Sequence, residues 1–414
     1  MAKFIINFVI LFYFNLLCSC FPAEYLYDSN IFSSREDFYT MNISMDPFFW
    51  IVFIDTYHDY FILYDYPEGD RWPMDIIKRA TYIEPKENTI INNYDIQIQA
   101  SVYTTKMGLK EKENSTKVIN IYYTQERPKD ELVFYTISDN IRQLSLGFGL
   151  SKNTTFSFIH KLYEAKIIDA RKFSFEQTPE TYIKLGQNSI DKLQKYKSNV
   201  TVILNTTVEH WGFQLNKIVI NKKNFYINKY AYINSAIDVG IRSSFLYKIF
   251  KSFLLDNSIE GLHCSENIYN KKLTMFCSFE NEIKWPNVTI NIGEGNSFII
   301  PMKNLFSCGA TQCRLNFIYS NVEDVDELNN DLKLSELPIH FGHKFLTLFN
   351  LVEFDFDKPS ISFYSNHITF TKDTSIQLID INKKHLLICL IIILFISIII
   401  LFYIKSQIIS KLNI

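Results

Sequence analysis

Asn234-Ser235-Ala236-Ile237-Asp238-Val239-Gly240-Ile241-Arg242-Ser243-Ser244-Phe245 brings an apolar approach to an acid, a glycine two residues later and then a small polar turn. This is the pattern of a strand delivering a carboxylate to a tight loop, with Gly240 able to take backbone conformations closed to other residues. Strand-end aspartates mostly cap turns through local hydrogen bonds, so the stretch gains weight from a partner upstream. Trp50-Ile51-Val52-Phe53-Ile54-Asp55-Thr56-Tyr57-His58 has the same shape, an apolar strand ending in Asp55 and followed by Thr56. Two acid-bearing turns, one in each half of the chain, predict an internal duplication with one carboxylate per half.

The chain has 414 residues, is 47% hydrophobic and carries a formal net charge of -2. That length holds two domains with a core each. The balanced charge, with no basic block outside short Lys pairs, argues against a nucleic-acid partner. Lys3 followed by the apolar run Phe4 to Leu17 and the small residues Cys18-Ser19-Cys20 reads as a signal peptide over 1–20. Leu386 to Ile404 is uncharged, flanked by Lys383, Lys384, His385 and Lys405, and long enough to cross a bilayer. The expected topology is single-pass type I. The bulk lies outside the cell or in the lumen of the secretory or endolysosomal pathway, with a stalk over 366–385 and a cytosolic tail over 405–414. Sequons at Asn42, Asn114, Asn153, Asn199, Asn205 and Asn287 agree with this route. Outside signal and anchor remain Cys264, Cys277, Cys308 and Cys313; an even number in an oxidising compartment predicts two disulfides, with three pairings open. The spacings lack a CxxC pair, which argues against zinc, and no metal or cofactor is expected.

Between signal and anchor, short β-branched and aromatic runs recur between polar breaks, over 96–104, 117–124, 131–138, 200–204, 212–219, 224–233, 288–292 and 297–301. Helical spacing is confined to 155–165 and 244–255. The expected class is all-β with few short helices. There is no glycine-rich phosphate loop, G-x-S-x-G elbow or H-E-x-x-H. His340 and His343 are read as chance histidines rather than a metal pair.

The order of motifs resembles the pepsin-like aspartic proteases from Phe38 to Phe363. Phe53-Ile54-Asp55-Thr56 looks like the first D-T-G turn of that family and Ala236-Ile237-Asp238-Val239-Gly240 like the second. Asp139-Asn140-Ile141 with Leu144 to Phe148, Phe173-Ser174-Phe175, Ile183 to Gly186, His210-Trp211 to Ile218, His340 to Leu346 and Phe354 to Phe363 resemble its later motifs, in order. Cys277, Trp285-Pro286 and Cys313 resemble its late disulfide loop.

The resemblance implies a bilobal, monomeric protein with an N-terminal lobe over 38–190 and a C-terminal lobe over 191–365. It implies a peptide or protein substrate in the interlobe cleft, and Asp55 and Asp238 as the catalytic pair, supported by Thr56 and Gly240. One carboxylate of such a pair stays protonated while the other activates a water. Several positions depart from the pattern: Tyr57 and Val239 inside the two turns, His58 and Ile241 after them, and Ile62 for the tryptophan that partners the flap tyrosine. Tyr103, with Gly108, is the flap candidate. Two functions therefore stay open: an aspartic endopeptidase, or a pseudoprotease ectodomain that keeps the cleft to bind peptides or partners.

Overall fold

The computed structural model describes residues 23–26, 40–45, 48–64, 81–82, 89–93, 96–109, 117–124, 144–150, 157–177, 182–204, 209–237, 240–256, 259–269, 272–280, 282–315, 318–321 and 338–372. They are mostly β-strand with a few short helices, as the sequence predicts. The signal, anchor and tail lie outside them; of the expected stalk, residues 366–372 are described, and Thr369–Lys372 is a strand paired antiparallel with Asn296–Pro301, so the folded body runs past the expected boundary at 365. Among the described residues no helix is long and apolar enough to cross a membrane.

Alternation of apolar and polar side chains drives strand formation, as in Asn287–Ile292, where Val288, Ile290 and Ile292 are buried and Asn287 is exposed. Helix Ser244–Leu255 falls where the spacing predicts. Ser243 caps it by accepting from the Leu246 amide at 3.2 Å, and Leu246, Tyr247, Phe250, Phe253 and Leu254 face the core. The predicted helix over 155–165 is observed as Phe158–Glu164. The strand predicted over 131–138 falls outside the described residues. Strands Leu262–Tyr269 and Lys272–Phe279 were not expected, because polar residues interrupt their apolar pattern.

The described strands form sheets of eight, twelve and six. The six-stranded sheet joins distant parts of the chain: Ala23–Leu26, Tyr182–Leu185, Lys172–Glu176, Leu351–Asp355, Ser360–Ser365 and Ser198–Ile203, in that spatial order. Its inner face buries Phe173, Phe175, Phe354 and Phe363, with Phe173 stacked on Phe354 at 4.5 Å.

The other two sheets repeat one scheme. Thr40–Met45 pairs antiparallel with Phe48–Asp55, which pairs parallel with Leu144–Gly147. The latter pairs antiparallel with Phe61–Tyr64, and that strand parallel with Lys117–Thr124. Gly212–Ile220, Lys223–Ile233, Ile339–Phe341, Ile241–Arg242 and Ile318–Asn321 follow the same order of antiparallel, parallel, antiparallel and parallel pairings. The duplication is thus present in the strand pairing, and its equivalences can be read off residue by residue.

Candidate functional site

The first turn begins where Phe48–Asp55 ends. Asp55 pairs across the parallel register with Gly147, and the Phe148 amide donates to the Asp55 carbonyl at 2.7 Å. A Cβ on Gly147 would lie 2.4 Å from the Tyr60 nitrogen and 2.6 Å from the His58 carbonyl, so only glycine lets the chain pass here. The second turn begins where Lys223–Ile233 ends. Ile233 pairs in parallel with Phe341, and the Asn234 amide donates to the Phe341 carbonyl at 2.8 Å.

Four hydrogen bonds tie the turns together reciprocally. The Thr56 hydroxyl donates to the Ile233 carbonyl at 3.2 Å, and the Ser235 hydroxyl to the Ile54 carbonyl at 2.5 Å. The Thr56 amide donates to Ser235 Oγ at 3.1 Å, and the Ser235 amide to Thr56 Oγ1 at 2.9 Å. Thr56 and Ser235 are therefore equivalent, and so are the residues before them, Asp55 and Asn234. The next bond in each turn agrees: Asp55 Oδ1 accepts from the Tyr57 amide at 2.8 Å, and Asn234 Oδ1 from the Ala236 amide at 3.1 Å.

This corrects the reading of the second turn. The residue opposite Asp55 is Asn234, and the unit equivalent to Asp55-Thr56-Tyr57-His58 is Asn234-Ser235-Ala236-Ile237. Asp238 and Val239 lie outside the described residues. Gly240 sits past the turn, its carbonyl accepting from the Gly342 amide at 2.8 Å, and is not part of the reciprocal contact. The acid in Asp238-Val239-Gly240 drew the sequence reading four residues too far. The overlooked signal was the polar pair Asn234-Ser235, placed where a strand ends in the same way as Asp55-Thr56.

Asp55 is 1% exposed and well supplied with donors. His58 Nδ1 lies 2.6 Å from Oδ2, and the His58 amide donates to Oδ1 at 3.3 Å. Burial pushes the Asp55 carboxyl upward, but the charge and ring nitrogen of His58 and the two backbone donors outweigh it and hold Asp55 below the usual aspartate range. An ionised carboxylate only accepts, so His58 Nδ1 carries the proton and donates.

Asn234 is fully buried, and its Nδ2 has no hydrogen-bond partner among the described residues. It can neither ionise nor share a proton.

The mouth of the first turn is filled by rings. Tyr57 stacks on His210 at 4.1 Å with an interplanar angle of 1°, and His210 Nδ1 lies 2.8 Å from the Tyr57 carbonyl. Tyr57 also meets Tyr232 and His340 edge-on, at 5.6 and 5.4 Å. Burial, reinforced by the charges of Arg242, His210 and His58, pushes His340 down to about 3, so it stays neutral near pH 7. Burial also lowers His210. The two loop supports are thus unlike: Tyr57 stands where Ala236 stands in the second turn, and His58 where Ile237 stands.

Tyr103 lies in the interior of Ile96–Leu109, paired with Tyr82 on one side and Ile121 on the other, and packs against the core. Ile96–Leu109 pairs antiparallel with Thr89–Asn93, up to the terminal Asn93–Ile96 pair. Tyr103 thus sits inside the strand, seven residues past Ile96, where that pairing ends.

The cysteines pair as Cys264–Cys277 and Cys308–Cys313. This is one of the three pairings left open and replaces the Cys277–Cys313 bond that the resemblance suggested. Asn199 and Asn287 are exposed, and Asn42 lies on Thr40–Met45. Asn114, Asn153 and Asn205 are outside the described residues. Among the described residues no group of three His, Cys, Asp or Glu side chains is arranged to hold a metal ion. Comparison with known proteins finds no matching family model and no matching curated protein.

Proposed function

We propose that this chain is a bilobal, pepsin-like ectodomain that has given up acid-dyad hydrolysis and keeps its cleft to bind a peptide or protein partner, held at a membrane by the apolar run 386–404. One observation carries the reading: Asn234 occupies the position opposite Asp55 in the reciprocal contact between the turns. Dyad chemistry needs two carboxylates sharing one proton, one acting as base on a water and the other as acid toward the carbonyl. Asn234 holds the geometry and supplies no exchangeable acid.

The first turn supports the same reading. His58 Nδ1 engages Asp55 Oδ2 at 2.6 Å, so that oxygen is already taken by a donor within the turn. Tyr57 and its stack with His210 fill the space a glycine would leave open beside the acid. The repeated strand scheme and the six-stranded sheet drawn from both halves support a two-lobed body of the pepsin type.

The test is cleavage of a mixed peptide library from pH 3 to 7 by the full chain in detergent, beside Asp55→Asn and Asp238→Asn variants. The expected result is no cleavage that either substitution abolishes, together with retention of a subset of library peptides on the wild-type chain. Cleavage peaking at acid pH and lost in both variants would restore the endopeptidase reading, with Asp238 as its second acid.

A further inference from the structure

The four cysteines stand in a single row. Cys264 is directly opposite Cys277 in the pairing of Leu262–Tyr269 with Lys272–Phe279. Cys277 is directly opposite Cys313 across the other edge of Lys272–Phe279, where Gln312–Leu315 pairs, and Cys313 is directly opposite Cys308 of Phe306–Cys308. Directly opposed residues of antiparallel strands project to the same face, so the sulfurs run in the order Cys264, Cys277, Cys313, Cys308 along the hydrogen-bonding direction. The outer two bonds of this row are formed. The middle step, Cys277 to Cys313, is a register pair like the other two, and such pairs have Cα separations of about 4.5–5.5 Å, within the range that disulfides accept.

Exposure differs along the row. Cys277 and Cys313 are each 2% exposed and belong to the core, whereas Cys308 is exposed and Cys264 partly so. An incoming thiol therefore reaches the row at Cys308.

We propose that Cys308 is a site of S-thiolation by low-molecular-weight thiols such as glutathione, and that the row passes the exchange inward to create a Cys277–Cys313 bond and a free thiol at Cys264. The thiolate attacks Cys308 Sγ, forming a mixed disulfide there and expelling the Cys313 thiolate. Cys313 then attacks Cys277 Sγ, the new bond forms, and Cys264 leaves as a thiolate that takes up the proton of the incoming thiol. Two disulfides are present before and after, so no further oxidant or reductant is consumed. Exchange requires approach along the axis of the bond being broken. Cys313 and Cys264 lie on opposite sides of Cys277, which supplies that line. The product staples Lys272–Phe279 to Gln312–Leu315 and frees the strand pair on each flank.

The experiment uses the full chain in detergent, exposed to rising reduced glutathione, quenched with acid, alkylated and mapped by non-reducing peptide mass spectrometry. At the concentration where label first enters, the expected products are glutathione on Cys308, label on Cys264 and a Cys277–Cys313 crosslinked peptide, rising in step. Label on Cys308 and Cys313 together with Cys264–Cys277 intact, or label on all four at once, overturns the proposal. A Cys264→Ser, Cys308→Ser double variant gives an independent reading. It is expected to carry the Cys277–Cys313 bond when isolated under air, and two alkylatable thiols in the folded variant count against the proposal.

Discussion

The Asp55 turn and the Asn234 turn make the same backbone contact and offer different chemistry. Each ends an apolar strand paired in parallel with a later one. Each presents a hydroxyl to the other's carbonyl, and each uses a side-chain oxygen to hold the amide two residues on. One turn then buries a carboxylate beside a histidine, while the other buries an amide beside an isoleucine. Geometry that joins two halves of a chain and chemistry that reacts between them are separable, and here only the first is shared by both turns.

Substitutions probe the two turns separately. The largest effect is expected for His58→Ala, which leaves the buried Asp55 carboxylate without its ring donor. Removing one member of a buried pair costs about 3–5 kcal/mol, read as a fall in the denaturation midpoint at neutral pH. Adding Asp55→Asn to this variant should recover much of the loss, since the uncompensated charge is then gone. An equal loss in single and double variants would mean that His58 acts through packing alone. The shared contact comes next. Thr56→Val removes one donor and one acceptor between the turns, leaving the Ile233 carbonyl and Ser235 amide short of partners, at about 2–4 kcal/mol in total. Ser235→Ala should cost a similar amount from the other side. The pair should lose less together than the sum of the two, because they belong to one network. Additive losses would show that the two turns are held independently.

The fold was legible where local pattern and burial agree: the alternating strands, the helix Ser244–Leu255, the even number of cysteines and the two turn-ending strands. The site was half legible. Asp55-Thr56 announced itself because an acid followed the strand, but the equivalent of an acid in the second turn is an asparagine, and chemistry-based reading passed over it to Asp238. Only the hydrogen bonds between residues about 180 apart settle the register, and such long-range pairing leaves no local trace in sequence. The Cys308–Cys313 bond was obscured in the same way, since four cysteines allow three pairings and only sheet register selects among them.

The two turns also differ in how they respond to pH. A pepsin-like enzyme would gain function on acidification, whereas the side chains around these turns predict a loss of stability. For His340, the folded-state pKa of about 3 lies below the unfolded value near 6.5. The unfolded chain therefore binds a proton the folded chain does not, so stability falls as pH drops from about 6.5 toward 3, by about 1.4 kcal/mol per pH unit for one proton. Asp55 adds to this lower down: its folded pKa is depressed, so the stability it contributes is present above the unfolded pKa near 3.9 and is lost as pH falls through the folded value. His340→Phe should flatten the slope between pH 6 and 4 in chemical denaturation while leaving the steeper loss below pH 4. An unchanged slope in that variant would assign the acid lability to other groups.

The smallest expected effect separates the two turns most finely. Tyr57→Ala gives the first turn the residue that the second has at Ala236. The ring is only half-buried, and its stack on His210 is worth about 0.5–1.5 kcal/mol, so the denaturation midpoint should shift slightly. If the ring serves chiefly to fill the mouth of the cleft, peptide retention should change more than stability does. The reverse swap, Ala236→Tyr, places a ring where the side chain is 6% exposed and should cost about 1–3 kcal/mol through overpacking. A larger penalty at Ala236 than at Tyr57 means that the first turn has room for a side chain that the second lacks. Equal penalties would mean that both mouths are packed alike, and Tyr57 would then be an ordinary core contact rather than the filling of a vacated site.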